Sequence, residues 1–256
     1  MSTATKKEEI QRAVQATYGE VARTRGIEGK QSSCCGADLK PLADYSAADL
    51  AAVPPRAYLG EGSGTPVRFA DLQPGEVVVD LGAGAGMDTF LAANRVGPRG
   101  RVYGFDLTPD MLERARRNAA EAGYSHVSFE RADIEHLPLP EGAADAAISN
   151  CVINLTPDKT AVYREIFRVL KPGGRLSVAD IVLRGPAAAV RAFREGAGTD
   201  AWCACVSGAL EESEYLAAIR AAGFAGVKIV SERPAQSQPG GEVAAAAVTL
   251  VARKPA

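Results

Sequence analysis

The chain has 256 residues, 46% of them hydrophobic and 23% charged, with Lys+Arg 29 against Asp+Glu 31. That length suits one large α/β domain, or one domain with a small appended lobe. A formal net charge of -2 offers no basic surplus to a polyanion, so no nucleic-acid partner is expected and a small molecule is.

No run reaches the roughly 18 uninterrupted apolar residues of a membrane helix. The opening "MSTATKKEEIQRAVQ" is charged and periodic, unlike the apolar centre of a signal peptide. A cytoplasmic location without membrane association is therefore expected. Five cysteines, an odd number in a chain this long, read as thiols rather than a disulfide framework.

In chain order, Ile10, Val14, Tyr18 and Val21 recur at helical spacing and predict an amphipathic helix from 5 to about 24. "RGIEGKQSSCCGADLKPLADYS" breaks that period with Gly, Ser and Pro and reads as a long loop. Ser46 can cap a short helix over "AADLAAV", and Pro54-Pro55 stops it. Residues 1–70 thus form an N-terminal extension and cap carrying Cys34 and Cys35.

From Glu76 strands and helices alternate. "VVVDL" is an apolar run, as in a strand covered on both faces. A helix from about Met87 to Arg95 leads to "RVYGFDL", and Thr108-Pro109 offers a capping hydroxyl followed by proline at the first helical position. "VSFERAD", "ADAAISN" and "GRLSVADIVL" are the next strands, with the helix "DKTAVYREIFRVLK" before the last of them. Right-handed crossovers make this a doubly wound, Rossmann-like parallel sheet over 71–185. Residues 186–256 are read as an acceptor-binding segment with "TDAWCACVSGAL", then a helix over "EESEYLAAIRAA" and two closing strands.

Asp80, Gly82, Gly84 and Gly86 follow the first strand and open a helix, where glycines turn tightly and let the backbone approach a ligand. A dinucleotide fingerprint would need Gly or Ala where Met87 stands. Asp80 would oppose a pyrophosphate and favours a cation, such as the amino group of S-adenosylmethionine (SAM). Asp106, followed by Leu107, ends the second strand, where a carboxylate can accept both ribose hydroxyls. Asp133 can accept from the adenine amino group, with Ile134 against the ring. Three acidic residues at three successive strand ends therefore predict a SAM-dependent methyltransferase. Asn150 and Cys151, in "SNCVINLTPDK", end the fourth strand on the edge where ligands of open α/β sheets bind. Cys203 and Cys205 form a further thiol pair, and soft thiolates suit a thiophilic metalloid.

"DLGAGAGMD", "SNCVINLTPDK", "FRVLKPGGRL", "CVSGAL", the "CCG" of the N-terminal loop and "YLGEGSGTPV" together resemble the arsenite methyltransferases, over nearly the whole chain. The resemblance implies transfer of methyl groups from SAM to trivalent arsenic, a detoxification. It implies that Cys151 and Cys205 bind arsenic, that Cys34 and Cys35 capture and relay it, and that Tyr58 and Leu59 cover the cofactor. It also implies an exogenous thiol reductant, glutathione or thioredoxin-like. Cys203 is an addition to the family pattern.

Ser63 departs from that pattern, which has a third arsenic-binding cysteine in its place. Three readings stay open: two thiols suffice, the enzyme prefers methylated or thiol-conjugated arsenicals, or Cys203 or the Cys34/Cys35 loop supplies the missing sulfur. Two rival functions remain as well, a SAM-dependent C- or O-methyltransferase of a small organic molecule and a non-catalytic metalloid-binding protein.

Overall fold

The computed structural model describes residues 3–24, 43–196, 208–237 and 241–256. Its frame is one seven-stranded sheet: β1 (Val77–Leu81), β2 (Arg101–Asp106), β3 (Val127–Arg131), β4 (Ala144–Asn150), β5 (Leu170–Arg184), β6 (Ala225–Ser237) and β7 (Ala244–Arg253), in the order β3-β2-β1-β4-β5-β7-β6. The helices are α1 (Thr3–Thr24), α2 (Ala47–Ala51), α3 (Met87–Val96), α4 (Pro109–Glu121), α5 (Lys159–Val169), α6 (Ala187–Gly196) and α7 (Glu212–Ala221).

Successive strand residues point to opposite faces, and the apolar run of β1 serves both. Val78 joins Phe90 and Leu91 of α3 and Leu112 and Ala115 of α4 on one face. Val79 and Leu81 join Tyr163 and Ile166 of α5 and Tyr215 and Ile219 of α7 on the other. Each large apolar side chain so buried stabilises the fold by roughly 1.5–3 kcal/mol. This is why β1 reads as an apolar run and not as alternation.

The parallel sheet expected over 71–185 is present, and the closing strands add one reversed member to it. β1 to β5 are parallel, whereas β7 lies antiparallel between β5 and β6. The cause is the connection over 238–243, which is too short for the crossover that parallel neighbours need. β7 pairs with β5 from Arg175↔Arg253 to Arg184↔Ala244, which builds the closing strands into the same sheet.

Caps met and missed the expectation. Ser46 forms a full capping box with Asp49 at the start of α2. Thr108 makes no side-chain cap bond, although Pro109 does begin α4. Its backbone N–H instead donates to the Asp106 carboxylate at 2.8 Å, which ties the start of α4 to the end of β2. Among the described residues no helix is long and apolar enough to cross a membrane.

Candidate functional site

The loops at the carboxyl ends of β1, β2 and β4, together with β3's following turn, open into one cleft. It takes in ten of the eleven residues expected to meet the cofactor: Tyr58, Leu59, Asp80, Gly82, Gly84, Asp106, Leu107, Asp133, Ile134 and Asn150. Cys151 lines the same cleft. Gly86 does not; it turns the chain into α3 at φ 99°, and a Cβ there would lie 2.5 Å from the Phe90 ring.

The glycine loop is held against β2 from below. The N–H groups of Gly82 and Ala83 both donate to the Phe105 carbonyl, at 2.7 and 2.9 Å. Gly84 donates its N–H to Asp106 Oδ2 at 2.9 Å, and Thr108 to Asp106 Oδ1 at 2.8 Å. Burial pushes the Asp106 carboxyl up, and these N–H groups pull against it. Two acceptor oxygens on one carboxylate match the spacing of a vicinal diol such as a ribose.

At the β3 end, α1 contributes directly, which the sequence did not disclose. Lys7 Nζ lies 2.9 Å from Asp133 Oδ2 and 2.6 Å from Glu135 Oε2, and Gln11 Nε2 donates to Asp133 Oδ2 at 2.9 Å. Burial would raise the Asp133 carboxyl, but the Lys7 ammonium and the Glu135 N–H hold it below its usual range. Asp133 Oδ1 takes that Glu135 N–H at 3.1 Å and has a second lone pair to offer. Gln11, Val14 and Tyr18 of α1 line the cleft, and Tyr18 and Leu59 pack on Val21, Ala22, Ala85 and Met111.

At the β1 end two carboxylates sit in apolar surroundings. Asp80 is 2% exposed and takes the Thr89 hydroxyl at 2.5 Å. Asp88, in the first turn of α3, accepts from the Tyr45 hydroxyl at 2.7 Å and from Asn150 Nδ2 at 2.9 Å, while its Oδ1 has no partner among the described residues. Burial first, and the Asp88 charge second, raise the Asp80 carboxyl well above its ordinary range. Asp88 is raised by burial as well, against its bonds to Asn150 and Tyr45. Such a pair calls for a cation, as a carboxylate removed from water is costly unless paired.

Asn150 joins this end to the strap over 58–65. Its Oδ1 accepts from Ser63 N–H at 2.9 Å and Gly64 N–H at 3.3 Å, and its Nδ2 donates to the Gly64 carbonyl at 2.8 Å. Gly64 has no room for a side chain, since a Cβ would meet Thr249 Oγ1 at 2.7 Å and Ala179 Cβ at 2.8 Å. Ser63 is 3% exposed and its hydroxyl oxygen has no hydrogen-bond partner among the described residues. Tyr58 stacks edge-on against Tyr45, ring centroids 5.4 Å apart, under the same strap.

Cys151 follows Asn150 with φ 59°, a left-handed backbone that non-glycine residues rarely adopt. Its N–H donates to the Ala179 carbonyl of β5 at 2.8 Å. Cys34, Cys35, Cys203 and Cys205 lie outside the described residues.

Strand order, glycine loop and cleft together define a Rossmann-like methyltransferase domain. Residues 72–223 match the family model described as Methyltransferase domain, and the chain belongs to that family. It is similar to the arsenite methyltransferase of Halobacterium salinarum, 40% identical over 223 residues covering 83% of this chain and 55% of that protein. It is also similar to the arsenite methyltransferase of Aquipseudomonas alcaligenes, 34% identical over 236 residues covering 87% of this chain and 64% of the other. The chain thus spans between half and two thirds of these relatives' lengths. Among solved structures, an arsenic (III) S-adenosylmethionine methyltransferase from Chlamydomonas reinhardtii superposes with a TM-score of 0.65 at 29% identity, covering 89% of this chain and 75% of that one.

Proposed function

We propose that this chain is a SAM-dependent methyltransferase whose acceptor is trivalent arsenic, serving arsenic detoxification with thiols of the cytoplasm as reductant. One observation carries the reading: Asp106, Asp133 and the Gly82–Gly84 turn share a single cleft with Cys151. The similarity to arsenite methyltransferases supports the choice of acceptor.

When bound, SAM supplies an electrophilic methyl group on a sulfonium. Asp106 would hold its ribose, Asp133 and Ile134 its adenine, and Asp80 with Asp88 its ammonium. Tyr58 and Leu59 would close the cleft and exclude water. Cys151 and Cys205 would hold arsenic as thiolates, which leaves the arsenic lone pair free. The acceptor brings its own electron pair, so no residue has to remove a proton and catalysis is mostly positioning. Arsenic leaves each transfer formally pentavalent. Two exogenous thiols, oxidised to a disulfide, return it to the trivalent state for the next.

The test is turnover of SAM with arsenite and glutathione, with the arsenic species separated over time. No methylated arsenic, together with transfer to an organic acceptor, would favour a C- or O-methyltransferase. On the cofactor side, Asp106→Ala removes both ribose contacts and should weaken SAM by about 1.5–3 kcal/mol in a calorimetric titration. Unchanged affinity would place the ribose elsewhere.

Ser63 bears on the substrate within this reading. Its backbone is tied to Asn150, the neighbour of Cys151, and its buried hydroxyl has no partner among the described residues. Methylarsenite has only two exchangeable positions, which two protein thiolates would fill, whereas arsenite keeps a third. Methylarsenite should therefore be the better substrate, and Ser63→Cys should shift the ratio of initial rates toward arsenite. A ratio and an arsenite affinity that Ser63→Cys leaves unmoved would place position 63 outside the arsenic site.

A further inference from the structure

Beneath the Cys151 loop lies a buried polar cluster to which methyl transfer assigns no task. Asp180, in the middle of β5, has 0% of its surface exposed. A carboxylate there is tolerated only if donors converge on it. Its Oδ2 accepts from the backbone N–H of Asn154 at 3.1 Å and from the Tyr215 hydroxyl at 3.2 Å, and its Oδ1 from the N–H of Ile181 at 2.9 Å. Asn154, equally buried, donates Nδ2 to the Ile181 carbonyl at 2.7 Å. Lys159, 5% exposed, donates to the Thr156 carbonyl at 3.0 Å.

These bonds have a direction in the fold. Three consecutive β5 residues, Ala179, Asp180 and Ile181, each hold part of the segment from Cys151 to Asn154. Tyr215 comes to Asp180 from the other side, on α7, the helix that follows the 197–207 stretch bearing Cys203 and Cys205. The Leu183 N–H donates to the Leu210 carbonyl at 2.9 Å, which fastens the approach to α7 onto the same strand. One carboxylate thus touches both the segment that follows Cys151 and the helix α7.

We propose that Asp180 is a positioning residue, joining the Cys151 loop to α7 and so fixing where the Cys151 thiol stands in the cleft. The proposal rests on reading Cys151 as the arsenic ligand. The left-handed backbone of Cys151 persists only while its surroundings over-determine it. An asparagine at 180 has one acceptor oxygen for donors that converge on two, and its NH2 would face an N–H or an O–H. Without the clamp the loop can relax and carry the thiol away from the reacting position.

The first experiment compares Asp180→Asn and Tyr215→Phe with wild type for arsenite KM, kcat and SAM affinity. The second measures alkylation of Cys151 by iodoacetamide, with Cys34, Cys35, Cys203 and Cys205 all changed to serine so that it is the sole thiol. Asp180→Asn should raise the arsenite KM about tenfold or more, as expected for a misplaced reacting group. SAM affinity should hold and Cys151 alkylation should change. Tyr215→Phe should move the same quantities in the same direction by less, and it carries the test if Asp180→Asn does not fold. Equal losses in SAM and arsenite binding, or an unchanged alkylation rate, would overturn the proposal. If wild type proves inactive on arsenite, the functional reading fails while the alkylation comparison still decides the clamp.

Discussion

Cys151→Ser is expected to abolish methyl transfer to arsenite and to methylarsenite while SAM binds as before. Serine keeps the size of the side chain and its hydrogen-bonding geometry, so neither the φ of 59° nor the N–H bond to Ala179 need change. What changes is the donor. A hydroxyl stays protonated and hard, whereas trivalent arsenic prefers a soft thiolate. Losing that ligand leaves arsenic neither held nor aimed, and a misplaced reactant alone can cost about 100-fold. Steady-state turnover and calorimetric SAM titration of the same preparation separate the two effects. Retained wild-type rates on both arsenicals would remove Cys151 from the acceptor site. A parallel loss of SAM affinity would mean that serine had disturbed the glycine loop, whose Gly82 packs close to Val152. Cys205→Ser should behave in the same way if the two thiols act as a pair, and Cys203→Ser should matter less.

The parts legible in the sequence were those written in local pattern. "VVVDL" announces a strand buried on both faces, and the acidic residues at the carboxyl ends of β1, β2 and β3 stand out because ligands of such sheets bind at strand ends. Pro109 at the first turn of α4 and the Ser46 cap are local too. Illegible were the bonds that depend on where distant elements come to rest. Lys7 reaches Glu135 across 128 positions, and Tyr45 reaches Asp88 across 43. Nothing near either residue in sequence marks it as part of a site. Asp88 could have been suspected, as a carboxylate one turn into the helix that the glycine loop opens. The antiparallel entry of β7 was also readable in principle, since a short connection between two strands excludes a crossover. Gly86 has a local reason of its own to be glycine: it enters α3 at φ 99°, and the Phe90 ring occupies the space a Cβ would take.

Gly82→Ala should have the second large effect, because this glycine stands where the glycine loop meets the loop that carries Cys151. Its φ is 73°, and a Cβ built on it would lie 2.2 Å from Val152 Cγ2 and 2.5 Å from Cγ1. A left-handed alanine costs roughly 1–2 kcal/mol. Forcing a methyl group into a filled space adds typically 1–3 kcal/mol. The side chain that must give way belongs to Val152, the residue after Cys151, so relief in the glycine loop is strain in the Cys151 loop. The variant should therefore unfold at lower denaturant concentration, bind SAM at least about tenfold more weakly for the loss of about 1.4 kcal/mol, and raise the KM for arsenite as well. Gly75→Ala is the control: its φ of 89° imposes a similar backbone strain, but nothing lies within 4 Å of its Cβ. That variant should lose some stability and no SAM affinity. Equal behaviour of the two in SAM titration would show that the Gly82–Val152 contact does not couple the loops, and that only backbone strain is at work.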